Sequence, residues 1–288
     1  MEKSLKNYLS VFVLALIWGS SFILMKKGLE VYDYMQVANA RIFIAFISLV
    51  PFLPRAIKEV KKKHYFPIFI TSIFGNGLPA ILFTKAQTNL DSALVGILNS
   101  TVPLFTLIIA AYFFRFKPLR ANIFGVLIGL IGVFFLTFNS VSTEVVINKY
   151  FLFVILATIF YAISINVIKN YLQDLNPISI ATLAFSIIGP MALTYLIKTD
   201  FIYQLNEHDH GYRAVGYIAL LAILGTSMAS IIFNKLLSRS SAIFTSSITY
   251  FIPIVAIFWG ILDGEIVTMY HLIGFVIILA GVYLVNKD

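Results

Sequence analysis

Ten stretches of this chain are apolar for about the 20 residues a helix needs to cross a hydrocarbon layer, and short clusters of charge and turn residues separate them. They run over 8–25, 36–53, 66–84, 92–112, 120–138, 150–168, 177–197, 214–234, 241–261 and 269–285. The expected breaks carry turn chemistry or charge: Pro54 and Arg55, Asp91, Pro118, Asn148 and Lys149, Asn176 and Pro177, Ser238 to Ser241, Asp263 and Gly264. Hydrophobic residues make up 60% and charged residues 12% of the chain, a balance a soluble domain does not carry. Lys3 and Lys6 precede the first run as they would in a signal peptide. No small-x-small cleavage pattern follows, and the run continues through Trp18 to Met25, so a helix is expected.

The runs are written twice. Gly75, Phe83, Lys85 and Pro103 recur as Gly225, Phe233, Lys235 and Pro253 at an offset of 150, and Gly125 and Gly132 recur as Gly274 and Gly281 at 149. Trp18, Ser21 and Lys26 correspond to Tyr161, Ser164 and Lys169 at 143, with a longer loop from Lys198 to Arg213 explaining the drift. Two units of five spans are expected, 1–145 and 146–288. An odd number of spans makes the second enter the membrane from the opposite side, a plan that puts a substrate site near the midplane between the units. The fold class is therefore an all-α membrane protein, ten transmembrane helices arranged as two inverted five-helix repeats around a central cavity.

Charge gives the orientation. With the N-terminus in the cytoplasm, only Lys26, Lys27, Lys85, Lys149, Lys198 and Arg213 of the 21 Lys and Arg lie outside. Arg41 falls inside a span and the other 14 lie within, which predicts both termini in the cytoplasm. The same dispersal at span ends argues against nucleic acid as the partner of a +8 chain. With no cysteine, disulfides, thiol catalysis and thiolate metal sites are excluded.

Spans five and ten are almost wholly apolar and are expected outside, packed through glycines such as the GxxxG of Gly125 and Gly129. Spans four and nine carry Asn99, Ser100 and Thr101, and Thr245, Ser246, Ser247, Thr249 and Tyr250, which should face the bundle interior. Pro103 and Pro253 should kink these helices and free the carbonyls of Asn99 and Thr249, to be met by neighbouring hydroxyls, by water or by a ligand. Further candidates are Trp18 and Ser21, Asn76 and Thr84, Tyr161, Ser164 and Asn166, and Ser230 and Asn234. Trp18 suits a cavity wall or the membrane interface. Arg41 could snorkel outward or hold a carboxylate, and Lys85 and Lys235 could snorkel or bind an anion. The expected substrate-binding set is Trp18, Ser21, Asn76, Thr84, Asn99, Thr101, Tyr161, Ser164, Asn234, Thr249 and Tyr250.

No Asp or Glu falls mid-span, so no carboxylate relay is visible, and the four histidines form no metal spacing. HExxH, GxSxG and GxxxxGK are all missing, so no cofactor, metal or catalytic residue is expected and the chain is read as no enzyme.

The motifs together resemble the ten-helix EamA-type transporters of the drug/metabolite transporter superfamily. WGSSF at Trp18 to Phe22, Arg41 opening IFIAF, KAQTNLDSALVGILNSTVPLFTLIIAAYFF from Lys85, SAIFTSSITYFIPIVAIFWGILDGE from Ser241 and HLIGFVIILAGVYLV from His271 carry the likeness over nearly the whole chain. The family usually has Gly-Glu after both span four and span nine. Gly264 and Glu265 keep the second, while Phe114 and Arg115 replace the first. The resemblance implies a bacterial inner-membrane permease exporting amino acids or related metabolites, with a cavity lined by spans one, three, four, six, eight and nine. A drug or organic-cation exporter and a phosphorylated-metabolite exchanger are the rivals within transport. An intramembrane enzyme and a membrane scaffold are the rivals outside it. The expected partners are a small-molecule substrate and the bilayer, with monomer and homodimer both open.

Overall fold

The computed structural model describes residues 2–139 and 149–285, and among them every regular element is helical. Eight helices are long and apolar enough to cross a membrane, and two shorter apolar helices accompany them. In chain order these are α1 (Glu2–Leu29), α2 (Tyr34–Glu59), α3 (Lys62–Ala86), α4 (Ser92–Phe113), α5 (Arg120–Asn139), α6 (Lys149–Tyr171), α7 (Pro177–Ile197), α8 (Gly211–Arg239), α9 (Ala242–Leu262) and α10 (Met269–Val285). The expected junction at 145 and 146, the turn residue Asn148 and the charge of Lys287 lie outside the described residues. A short surface helix, Phe201–Glu207, occupies the long loop between α7 and α8.

Local chemistry sets the ends. Asp33 caps α2, accepting from the backbone N–H groups of Met35 and Gln36 while the Gln36 side chain returns to the Asp33 N–H. The expected break at Pro54 does not occur. Pro51 and Pro54 each sit in the first turn of a helical segment, Val50–Phe52 and Leu53–Glu59, where a missing N–H leaves no bond unmade, so the helix continues to Glu59.

Helices α5 and α10 lie side by side against one another. A Cβ on Gly125 would meet the Gly281 carbonyl and one on Gly281 would meet the Gly129 backbone, so only glycine permits this approach. Their other faces expose Phe124, Leu127, Ile131, Val276 and Tyr283, as a lipid-facing pair would. The remaining eight helices pack around a centre in which α1 meets α8 and α9, α2 meets α7, α3 meets α6, and α4 meets both α6 and α9.

Candidate functional site

That centre holds a cavity of about 130 Å³, room for about four water molecules at roughly 30 Å³ each. Its wall draws on α1, α3, α4, α6, α8 and α9, and also on α2 through Arg41 and Ile42 and on α7 through Ile180, Ala181 and Ala184. At one end the lining reaches Ile168, Ile180, Asn234 and Ser246, close to the α6–α7 and α8–α9 loops. At the other it stops at Met25 and Phe83.

The wall is assembled from reciprocal pairs. Trp18 of α1 packs on Phe233 of α8, with ring centroids 5.4 Å apart, and Tyr161 of α6 stacks on Phe83 of α3 at 5.6 Å. Ser21 faces Gly225 where a Cβ would otherwise stand, and Ser164 faces Gly75 in the same way. Both α3 and α8 widen into a π-helical turn at this level, Ile73–Gly77 and Ile223–Met228, a local irregularity frequent at functional sites. Each turn leaves a carbonyl in need of a donor. The Asn76 amide donates to the Thr71 carbonyl at 3.1 Å, and the Thr226 hydroxyl to the Leu221 carbonyl at 3.0 Å. The indole N–H of Trp18 donates to the Gly225 carbonyl at 3.0 Å.

Of the expected binding residues, Trp18, Ser21, Asn76, Asn99, Tyr161, Ser164, Asn234 and Thr249 line the cavity, as does Ser230. Thr84, Thr101 and Tyr250 do not. The Thr84 hydroxyl donates to the Ala80 carbonyl one turn back at 2.6 Å, and that of Thr101 to Leu98 at 2.8 Å and toward Thr158 at 3.3 Å. Tyr250 turns away, its hydroxyl reaching the Val282 carbonyl of α10 at 3.5 Å. These groups satisfy themselves on backbone, as hydroxyls in apolar helices do.

Pro103 and Pro253 each begin the second segment of a divided helix. α4 breaks between Asn99 and Val102, and α9 passes through a tighter turn at Ser247–Tyr250 before Ile252. The Thr249 carbonyl is not bare, because the Ser100 hydroxyl of α4 donates to it at 3.0 Å. Of the expected answers to this carbonyl the structure has the hydroxyl, and it comes from the facing kinked helix. Lys85 lies outside the cavity, over the rings of Tyr34 and Phe153 at 5.2 and 4.8 Å.

Sequence reasoning left Arg41 undecided and passed over Thr71 and Thr226. Arg41 is 8% exposed, lines the cavity and donates from Nε to Thr226 Oγ1 at 2.6 Å. Thr226 stands 150 residues after Asn76, so the repeat could have found it. Thr71 Oγ1 and Asn99 Oδ1 are buried in the wall with no hydrogen-bond partner among the described residues.

The Met25 end is closed by charge. Lys26 meets Asp263 and Glu265, each at 2.8 Å, and Lys27 meets Asp263 and Glu30, each at 2.7 Å. Glu265 also accepts from the backbone N–H groups of Ser92 and Ala93 at the start of α4, both at 3.0 Å, with Gly264 supplying the left-handed φ of 81° that aims it there. Burial would push the Glu265 carboxyl up, but the Lys26 ammonium and the two N–H donors outweigh burial and hold it below its ordinary value. Across the protein Lys169 has no such partner among the described residues and donates to the Leu237 carbonyl at 3.1 Å.

A multi-pass helical bundle folded around a polar, aromatic-walled cavity defines the class of membrane transport proteins. The chain belongs to the EamA-like transporter family, which matches residues 5–138 and again residues 148–287. Similar curated proteins include an uncharacterized transporter of Archaeoglobus fulgidus, 25% identical over 98% of this chain and 99% of its own length. The uncharacterized inner membrane transporter YedA of Escherichia coli is 25% identical over 96% of this chain and 89% of its own. A probable amino-acid metabolite efflux pump of Salmonella typhimurium is 21% identical over 98% and 95%. A solved crystal structure shares the fold with a TM-score of 0.65 at 15% identity, covering 97% of this chain and 96% of that one.

Proposed function

We propose that this protein is a secondary permease of the bacterial inner membrane, exporting small polar metabolites, amino acids foremost, by alternating exposure of the central cavity. The observation that carries the reading is the pairing of that cavity's walls. Trp18 with Phe233 and Tyr161 with Phe83, like Ser21 with Gly225 and Ser164 with Gly75, join the first span of one unit to the third span of the other. Such exchange is what two inverted five-helix units, 1–145 and 146–288, would produce, and it supports ten spans; the bias of Lys and Arg along the sequence supports both termini in the cytoplasm. A cavity walled by both units can change the side to which it opens when one unit rocks on the other.

The name of the Salmonella relative favours amino-acid metabolites as cargo. An organic-cation exporter is disfavoured because no carboxylate of the described residues lines the cavity, and a phosphorylated-metabolite exchanger because Arg41 is the lone cation among them there. The test is flux in proteoliposomes against labelled amino acids, organic cations and sugar phosphates. Amino acids are expected to move faster than in empty vesicles; if no solute does, the reading fails.

A further inference from the structure

The cavity's polar groups divide into those already bonded and those left over, and the remainder describes a ligand. Among the lining residues Arg41 is the sole formal charge. Among the described residues only its Nε finds a partner, the Thr226 hydroxyl. No Asp or Glu of the described residues pairs with it, and none lines the cavity. A cation buried in a membrane interior without a counter-ion carries a desolvation penalty that one neutral hydroxyl does not offset. The fork of guanidinium N–H groups beyond Nε matches the two oxygens of a carboxylate.

Two other atoms are unanswered. Asn99, 5% exposed, has a side-chain oxygen without a donor, and the Thr71 hydroxyl has no partner. A buried acceptor left unmade is costly, so each is suited to a ligand group that donates. Trp18, Phe83, Tyr161 and Phe233 supply apolar walls around them.

From this we infer that the cavity selects its substrate by carboxylate: Arg41 binds the carboxylate of an amino acid, and the neutral acceptors at Asn99 and Thr71 receive its ammonium group. The inference rests on the transport reading and deepens it. The two ends of the ligand are held unequally. The carboxylate meets a full charge, whereas the ammonium meets only dipoles, so the acid group is indispensable and the amine is not. The small volume admits one amino acid rather than a peptide. Helix α7 carries no charged residue, so the second unit has no cation to match Arg41 in α2, and one substrate binds per molecule.

The test is competitive uptake into proteoliposomes with apolar L-amino acids, their carboxamides, the amines left by decarboxylation and the acids left by deamination. Wild-type protein is expected to prefer each amino acid over its amide by about 100-fold or more, because a buried charge is otherwise unmet, and to keep the deaminated acid within about tenfold of the amino acid. Arg41→Gln should abolish that preference and Arg41→Lys should retain part of it, each checked by gel filtration and melting for an intact fold. Should Arg41→Gln not fold, Asn99→Asp, which cancels the cavity charge and leaves Arg41 untouched, is expected to remove the preference instead. Amides or amines carried as well as acids, or a preference that survives both Arg41→Gln and Asn99→Asp, overturns the inference while leaving transport standing. If no member of the set moves and sugar phosphates or organic cations do, the carboxylate assignment falls alone; if nothing moves, both fall.

Discussion

At Glu265, one side chain ties three helices, since Lys26 ends α1, Ser92 and Ala93 begin α4, and the carboxylate follows α9. Its side chain is 2% exposed, so its partners are little screened by solvent. Because its folded value lies below the ordinary 4.5, the stabilisation it gives is complete above that value and is lost as pH falls through the depressed one. Glu265→Gln should therefore cost about 1–3 kcal/mol at pH 7, the loss of charged hydrogen bonds with Lys26 still held by Asp263. Unfolding in detergent at pH 7 and at progressively lower pH checks this. The gap between wild type and variant is expected to close once the wild-type carboxyl protonates; a constant gap would mean that the charge is irrelevant. Trp18, Ser21, Asn76 and Tyr161 were legible as cavity lining because the repeat and the polarity of their spans constrain them. The sequence could not separate them from Thr84, Thr101 and Tyr250, since residue type does not say whether a hydroxyl has turned back on its own helix. Arg41 stayed undecided for a related reason: whether it snorkels or points inward depends on Thr226, which is 185 residues away.

At the scale of elements, the two divided helices α4 and α9 depend on each other. The Ser100 hydroxyl satisfies the carbonyl that Pro253 leaves without a helical donor, and a Cβ on Gly96 would stand 2.6 Å from that of Ala256, so the helices cross in close contact. Ser100→Ala leaves the Thr249 carbonyl without that donor and is expected to destabilise by about 1–3 kcal/mol. Thermal unfolding of the purified variant is the measurement, with Ser100→Thr retaining most of the stability by keeping the hydroxyl. The prolines made these kinks legible, and the glycines of α5 and α10 announced their contact. The π-helical turns at Ile73–Gly77 and Ile223–Met228 carried no such signal. An extra residue in a turn alters no periodicity strongly enough to notice in a segment that is apolar on every side, and the Asn76 and Thr226 side chains that stabilise it look like any other polar lining. Pro54 misled for the converse reason, because proline ends a helix only where its N–H is required.

For the whole molecule, the two ends of the cavity differ in a way that the near-symmetry of its walls does not. The Met25 end is latched by Lys26, Lys27, Asp263 and Glu265, while at the opposite end Phe114 and Arg115 stand at the positions equivalent to Gly264 and Glu265, and Lys169 finds only a carbonyl. Phe114, at the position of Gly264, has a φ of −115°, and the left-handed residue falls one place later at Arg115, with a φ of 55°, so the turn differs there as well as lacking its acid. The opposite end also carries ion pairs, Lys63 and His64 with Asp174 of the α6–α7 loop, but the Asp174 side chain is 44% exposed against 2% for Glu265, so the buried set at the Met25 end is the stronger bias on a two-state carrier. In the proposed orientation the latched end faces outward, and the resting protein is expected to open toward the cytoplasm. The absence of cysteine makes this directly measurable with single cysteines and membrane-impermeant thiol reagents. Asn234→Cys is expected to label in inside-out vesicles but not in intact cells, and Met25→Cys to stay unlabelled from outside. Adding Asp263→Asn and Glu265→Gln removes the latch and should raise labelling of Met25→Cys from outside several-fold while lowering that of Asn234→Cys from inside, because a single equilibrium governs both. Labelling of the two positions that rises together would instead indicate a leak through a loosened bundle, and equal labelling from both sides before the latch is broken would show that the charges close nothing.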